Sequence, residues 1–252
     1  MKVFLTVNYG TSSLLSDWVS NIREQVSDPI IVVVDNFKNN EERSKAKHIC
    51  TSQDVYFVES TNQGYGNSLN LGIKYCKENF TLKNAVFFAG NMDIKYLNIP
   101  YHLPRGEFVY IPKALEGKRN RNPFLTRLQS VALPLHKLTI KLDSVYFLLF
   151  VTTIIKLLGY IPSKLWAVHG SLFCFHSECL HESEEIFNSD SFLYSEELEF
   201  ASYVEKYLCQ FVDSDITYQH DAHAATGDVI SSKRAFLNMW KPSFLNWIKR
   251  WK

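Results

Sequence analysis

The chain predicts an α/β fold: a mostly parallel central sheet with helices on both faces. Three observations lead there. Apolar strand-like runs alternate with segments of helical period through residues 3–89, as in successive β-α units. The run Ile30-Ile31-Val32-Val33-Val34 is β-branched throughout, the composition of a strand buried on both faces. Polar clusters follow these runs at Asn8-Tyr9, Asp35-Asn36, residues 62–66 and residues 91–93, at the strand ends where such sheets bind ligands.

Residues 3–7 form the first strand, too short and too soon polar for a signal peptide. Residues 14–25 place Leu14, Leu15, Trp18, Val19 and Ile22 at helical spacing. After the strand at 30–34 come a weak helix over 41–50, a strand at 55–58, a helix over 67–78 and a strand at 85–89. The middle differs. Residues 108–111 read as a strand, and 113–122 as a basic loop with Lys118, Arg119 and Arg121. Residues 124–158 are long and apolar, interrupted by Pro134. Their richest part, 145–158, contains Lys156 and is too short to cross a bilayer, which takes about 20 residues. Strand character returns at 166–175, and 196–208 reads as a helix. The expected organisation is one domain over 1–235, with a helical apolar insertion at 124–160, and a C-terminal amphipathic helix at 236–252.

Of 252 residues, 27 are basic and 26 acidic, so no global field points to nucleic acid. Five cysteines, odd in number and without a C-x-x-C pair, argue against a disulfide framework or a zinc site and make the cytoplasm the default location.

Candidate chemistry is concentrated in Phe192-Leu193-Tyr194-Ser195-Glu196-Glu197-Leu198-Glu199, with His220-Asp221-Ala222-His223 close behind. Three carboxylates after a Ser N-cap suit the positive end of a helix dipole, and such a cluster can also supply a general base and a metal or phosphate contact. Asp35, ending a buried strand, can accept hydrogen bonds from a base or ribose, or can close an Asx-type turn. The loop from Asn62 to Asn67 carries Gly64 and Gly66 and opens a helix, so its backbone can approach a ligand closely. It has neither the dinucleotide fingerprint nor the Gly-Lys-Ser phosphate loop. Asp93 in Asn91-Met92-Asp93 can bind a divalent ion whose other ligands are diphosphate oxygens, or can end its strand in a turn. His169-Gly170-Ser171 precedes an apolar strand; the glycine permits close approach by a substrate, and His169 reads first as a packed histidine.

Taken in order, these residues resemble family 2 inverting glycosyltransferases of the GT-A fold, and within that family the rhamnosyltransferase-like enzymes of bacterial surface polysaccharide synthesis. The resemblance runs from residue 3 to about residue 226. It rests on Val7-Asn8-Tyr9, Val34-Asp35-Asn36, Asn62-x-Gly64-Tyr65-Gly66-x-x-x-Asn70-x-Gly72-Ile73, Asn91-x-Asp93, Gly170-Ser171, Phe192-x-Tyr194-x-Glu196-Glu197-x-Glu199 and His220. The chain departs from the family in having Glu197 and Glu199 where aspartates are usual, Met92 where a proline is usual, and residues 181–190 in place of a Gly-Gly-Phe-Asp stretch.

The resemblance implies a nucleotide diphosphate sugar donor, first L-rhamnose from a thymidine diphosphate and second galactofuranose, as in O-antigen (lipopolysaccharide) or capsule synthesis. It implies that Asn8, Tyr9, Asp35, Asn62, Gly64, Asn70, Asn91 and Gly170 bind the donor. Asp93 and His220 would hold Mg²⁺ or Mn²⁺, and Glu197 would be the base, with Glu196 and Glu199 as alternatives. Two other classes are weighed: a non-catalytic nucleotide-sugar-binding or scaffold protein, and a nucleotidyltransferase. The latter should carry an early basic Gly-rich loop, where residues 7–13 offer only Gly10.

A polyprenyl-diphosphate-linked glycan acceptor, also implied, would bring the protein to the cytoplasmic face of the inner membrane as a peripheral protein. Two surfaces could meet the lipid: the apolar stretch 124–158, much of which could instead be a buried helical pair, and the tail, where Trp240, Phe244, Trp247, Ile248 and Trp251 recur on one face beside Lys241, Lys249, Arg250 and Lys252, the pattern of an interfacial anchor. The same face could equally pack on the domain or on a second subunit in a homodimer.

Overall fold

The structure is a computed structural model of the chain and describes residues 1–182, 184–220 and 233–251. Asp221 and His223 of the His-rich stretch, and Lys252 of the tail, lie outside the described residues.

The N-terminal half follows the alternation in the sequence: β1 (Lys2–Asn8), α1 (Ser12–Gln25), β2 (Ile30–Asn36), α2 (Asn40–Ser52), β3 (Tyr56–Ser60), α3 (Tyr65–Asn79) and β4 (Val86–Gly90). α2 starts where it does because the Asn39 side chain accepts from the Glu42 N–H at 2.9 Å. The four strands pair in parallel in the order β3-β2-β1-β4. The register sets Asn8 beside Asp35 and Thr6 beside Gly90, so the polar strand ends come together on one edge. One face buries Phe4, Val33 and Phe88 under α1 and α2, the other Leu5, Val34 and Phe87 under α3.

The second half comprises β5 (Ile94–Asn98), β6 (Phe108–Glu116), β7 (Arg119–Asn120), β8 (Leu125–Thr126), α4 (Arg127–Ser130), α5 (Leu135–Leu142), α6 (Val145–Leu158), β9 (Leu165–Ala167), β10 (Leu172–His176), α7 (Glu196–Lys206), β11 (Gln210–His220) and α8 (Lys233–Trp251). The sheet continues from β4 as β10-β6-β11-β5. β10 is antiparallel to both β4 and β6, β11 is parallel to β6, and β5 is antiparallel to β11. The result is the expected α/β class with the parallel pairing concentrated in the first four strands.

Three expectations are corrected. The strand expected over 166–175 is two strands, because β9 pairs with β8 in a separate small sheet while β10 joins the main one, leaving His169 to Ser171 at the corner between them. The basic loop over 113–122 is largely a hairpin: β6 runs on to Glu116, β7 pairs back on it, and Arg121 meets Glu116 at 2.7 Å. The tail is helical, but its aromatic face is not free. Leu237, Trp240, Phe244 and Trp247 are buried with Trp166, Leu198 and Ala201 in a third apolar cluster. Trp247 Nε1 donates to Ser202 Oγ at 2.9 Å, and Ser243 Oγ accepts from the Leu193 N–H at 3.2 Å. These rings are spent on α7 and its approach, not offered as an anchor. Among the described residues no helix is long and apolar enough to cross a membrane.

Candidate active site

The acidic cluster begins α7. Glu196 and Glu197 are partly buried and Glu199 is 1% exposed. Their environments separate them. Glu197 Oε1 accepts from the Gly170 N–H at 3.3 Å, and burial raises its pKa above the usual carboxylate range. Glu196 Oε2 accepts from the Ser195 N–H at 3.0 Å; burial, then the charge of Glu197, pushes it up to about 8. Glu199 belongs to the far side of the helix: Trp251 Nε1 donates to its Oε2, and Arg250 stands 3.7 Å from the same oxygen. Burial pushes Glu199 up to about 7 against those two partners, which tie it to the end of α8.

A second polar group lies at the ends of β4, β5 and β11. Asp93, 8% exposed between β4 and β5, has Oδ2 3.4 Å from His220 Nε2 at the end of β11. The His220 ring meets that of His169 at 5.4 Å between centroids. His169 is fixed at both ends: its N–H donates to Asn122 Oδ1 at 2.8 Å, and its Nδ1 accepts from the Ser171 N–H at 3.3 Å. Ser171 Oγ lies 2.8 Å from the same Nδ1 and 2.7 Å from the Tyr218 hydroxyl. Burial, then His220, pushes His169 down to about 4, so the ring is neutral; with Nδ1 accepting, its proton sits on Nε2. Tyr65 at the start of α3 joins the two groups. Its hydroxyl is buried without a hydrogen-bond partner, and burial followed by the charges of Glu196, Asp93 and Glu197 raises its pKa well above the usual value.

The nucleoside end is built on the first strands. Asn8 Nδ2 donates to Asp35 Oδ1 at 2.8 Å, and Arg43 Nε to Asp35 Oδ2 at 2.6 Å. Asp35 is thus a paired buried carboxylate, each oxygen keeping one lone pair for a further donor. Tyr9, next in sequence, is 40% exposed. Asn62 is joined to the neighbouring strand end, its Oδ1 accepting from Asn36 Nδ2 at 3.0 Å.

Other expected contacts are employed differently. Gly64 has φ +94°, and a Cβ there would stand 2.2 Å from Phe192 O, so the glycine admits the Phe192 backbone rather than a ligand. Asn70 spends its amide on Phe187, donating to its carbonyl at 2.7 Å and accepting from its N–H at 3.1 Å. It clamps the segment before α7 onto α3. Asn91 is held at the corner by its N–H, which donates to Ser171 O at 2.9 Å. The structure sets Asp93, His220, Gly170, Glu196 and Glu197 at the strand ends with Asp35 and Asn62, and spends Asn8 (buried, its amide between Asp35 and Thr11), Gly64, Asn70 and Glu199 on protein contacts. Arg43, Asn122 and Tyr218 were not among the expected residues, and Tyr65 stood in the Gly64-Tyr65-Gly66 motif without a role. Only Tyr65 carried a signal, an aromatic between two glycines at a helix start.

A divalent ion fits one place on this surface. Asp93 Oδ1 is buried with no hydrogen-bond partner, beside an imidazole nitrogen already near Oδ2. An orphaned buried carboxylate oxygen calls for a cation or donor. Among the described residues no group of three or more His, Cys, Asp or Glu side chains is gathered to hold a metal. Among the described residues the share of such a site is two side chains, which matches ions held by one or two protein ligands plus phosphate oxygens.

No protein-family model matches the chain, and no curated protein matches it in sequence. Solved structures do match in fold. A mannosyltransferase from Pyrobaculum calidifontis, PcManGT, in complex with GDP-Man and Mn²⁺, superposes with a TM-score of 0.56 at 14% identity, covering 98% of this chain and 64% of that one. TarS of S. aureus superposes with a TM-score of 0.52 at 10% identity, covering 88% of this chain and 36% of that one. Its 1–349 fragment gives 0.52 at 11% identity, with 88% and 60% covered. The chain thus spans less than two thirds of the length of each. The fold is that of GT-A-like glycosyltransferases.

Proposed function

We propose that the chain is an inverting glycosyltransferase that moves a sugar from a nucleotide diphosphate donor to an acceptor hydroxyl. The observation that carries this reading is Tyr65, whose buried hydroxyl lies within the field of Glu196, Asp93 and Glu197, with Glu197 on the Gly170 N–H and Asp93 beside His220, on a fold shared with sugar-transferring enzymes. The acceptor oxygen attacks the anomeric carbon, the bond from that carbon to the diphosphate oxygen breaks, and Glu197 takes the hydroxyl proton. The transition state has oxocarbenium character. Glu197 is preferred to Glu196 because its Oε1 meets the Gly170 N–H beside His169 while Glu196 turns back on the Ser195 N–H, and to Glu199 because Trp251 and Arg250 already engage that carboxylate. Asp35, oriented by Asn8 and Arg43, would hold the nucleoside, and Asp93 and His220 would hold Mg²⁺ or Mn²⁺. The ion, when bound, supplies positive charge against the leaving diphosphate.

The donor first proposed is dTDP-rhamnose, then a galactofuranosyl donor, both by the family resemblance. The acceptor is a polyprenyl-diphosphate-linked glycan met at the cytoplasmic face of the inner membrane. A screen of radiolabelled nucleotide sugars on the purified chain, GDP-mannose included, with and without EDTA, tests the reading. Labelled glycan formed from one donor and lost with EDTA supports it. Donor binding without product supports a non-catalytic binding protein, and pyrophosphate release from a nucleoside triphosphate supports a nucleotidyltransferase.

A further inference from the structure

The insertion carries an apolar surface that the fold leaves uncovered. α6 is apolar nearly all round, yet its buried residues are only Leu148 and Val151; Leu148, with Val145 and Ile155 partly buried beside it, packs on the third cluster. A helix of that composition in a soluble domain normally has neighbours on every side. Here Tyr146, Phe150 and Leu157 are 86%, 57% and 60% exposed. Steps of four and seven residues set all three on one face. Leu138 and Leu142 continue the surface on α5, and Tyr160 beyond α6 is 83% exposed. α6 is about 21 Å long at 1.5 Å per residue, short of the roughly 30 Å hydrocarbon core, so the helix can lie on a bilayer but not cross it.

Charge decides what covers this face. Lys137, Lys141, Lys156 and Lys164 are exposed around it, and none has an ion-pair partner among the described residues. The only carboxylate between Arg127 and Lys164 is Asp143, which Arg234 and Lys241 both hold. A second copy docked through the same patch would set lysines against lysines with no free carboxylate to answer them. Anionic lipid answers both features, taking the apolar side chains among its acyl chains and the ammonium groups among its phosphates.

We infer that the α5–α6 hairpin, not the C-terminal helix, is the surface by which this protein lies on an anionic membrane, with Tyr146 and Tyr160 at headgroup depth. The inference deepens the proposed reading, which it needs only for the identity of the acceptor. Lipid binding is measured without any sugar transfer, so the two can fail separately.

Cosedimentation of the full chain with phosphatidylcholine vesicles, with and without about three parts in ten phosphatidylglycerol, tests it. The chain is expected with the anionic vesicles. Each lysine near such a surface contributes about fivefold, so Lys137→Glu/Lys141→Glu/Lys156→Glu is expected to lose at least about tenfold in partitioning. Leu142→Ser/Phe150→Ser/Leu157→Ser is expected to abolish binding while keeping the circular dichroism of the parent. Because Cys50, Cys76, Cys174, Cys179 and Cys209 are all buried, Tyr146→Cys takes a thiol-reactive fluorophore at one exposed place. Its emission should move to the blue on adding anionic vesicles, whereas the same label at Glu24→Cys on α1 should not respond. No sedimentation and no blue shift overturn the proposal. So does a concentration-dependent dimer that the serine variant dissolves without any vesicle binding, which gives the face to a second copy. A chain that binds vesicles but transfers no sugar upholds the lipid face and fails the proposed reaction instead.

Discussion

Gly170 makes room for Glu197. A Cβ on Gly170 would stand 2.6 Å from Glu197 Oε1, the oxygen that accepts the Gly170 N–H at 3.3 Å. The backbone conformation at Gly170 is one that alanine tolerates, so the glycine serves space rather than geometry. Gly170→Ala should therefore move the carboxylate and leave the fold intact. Turnover is expected to fall between about 10-fold and 10²-fold, the cost of an ångström-scale misplacement, with the melting temperature within a few degrees of the parent. Unchanged turnover would detach Gly170 from the placing of Glu197.

Asp93→Asn removes the anionic oxygen that stands without a partner. Calorimetric titration with nucleoside diphosphate in Mn²⁺ should show roughly tenfold weaker binding or more, and His220→Ala a smaller loss in the same direction. Full activity of the parent in excess EDTA would leave Asp93 a structural residue.

Glu196 gives a pH signature in stability. Its folded pKa, about 8, lies above that of the unfolded chain, so between about 4.5 and 8 the folded state binds more protons. The slope of stability with pH is then negative: the contribution is whole below the unfolded value and fades as pH rises through the folded one. Melting temperature should fall as pH rises from 5 to 8.5, and Glu196→Gln should flatten that fall by at least about 3 °C. Parallel curves for parent and variant would show that Glu196 titrates normally.

The tail carries stability. Trp247 is 2% exposed, its ring 6.4 Å from that of Trp166 and its Nε1 bonded to Ser202. Trp247→Ala should cost about 3–5 kcal/mol in urea unfolding. A loss below about 1 kcal/mol would mean that α8 is only loosely applied to the domain.

These results mark what the sequence could and could not disclose. β1, β2 and β4 were legible because strands buried on both faces need continuous apolar runs, as Ile30 to Val34 shows. β5 and β11 were not: exposed and buried residues mix along them, and β11 shifts register between Asp213 and Thr217. The corner at His169 to Ser171 was hidden because both flanking segments are apolar, and only pairing with different sheets separates them. The tail's period was read correctly as a helix, but an aromatic face has the same spacing whether it meets lipid or protein, and here Leu198 and Trp166 claimed it. In the site, the nearness of Asn8 to Asp35 follows from neighbouring parallel strands. The engagement of Asn70 with Phe187, 117 residues away, could not be read from a motif, since a buried amide looks the same whether it faces a sugar or a backbone.

The central claim is that Glu197 takes the acceptor proton, and Glu197→Gln tests it most directly. The amide keeps the size and can still accept the Gly170 N–H, but it cannot take a proton. Turnover with the donor found in the screen is expected to fall about 10²-fold or more while donor affinity by calorimetry stays within about twofold. Near-normal turnover in Glu197→Gln, with Glu196→Gln inactive, would contradict the account and move the base one residue along the helix.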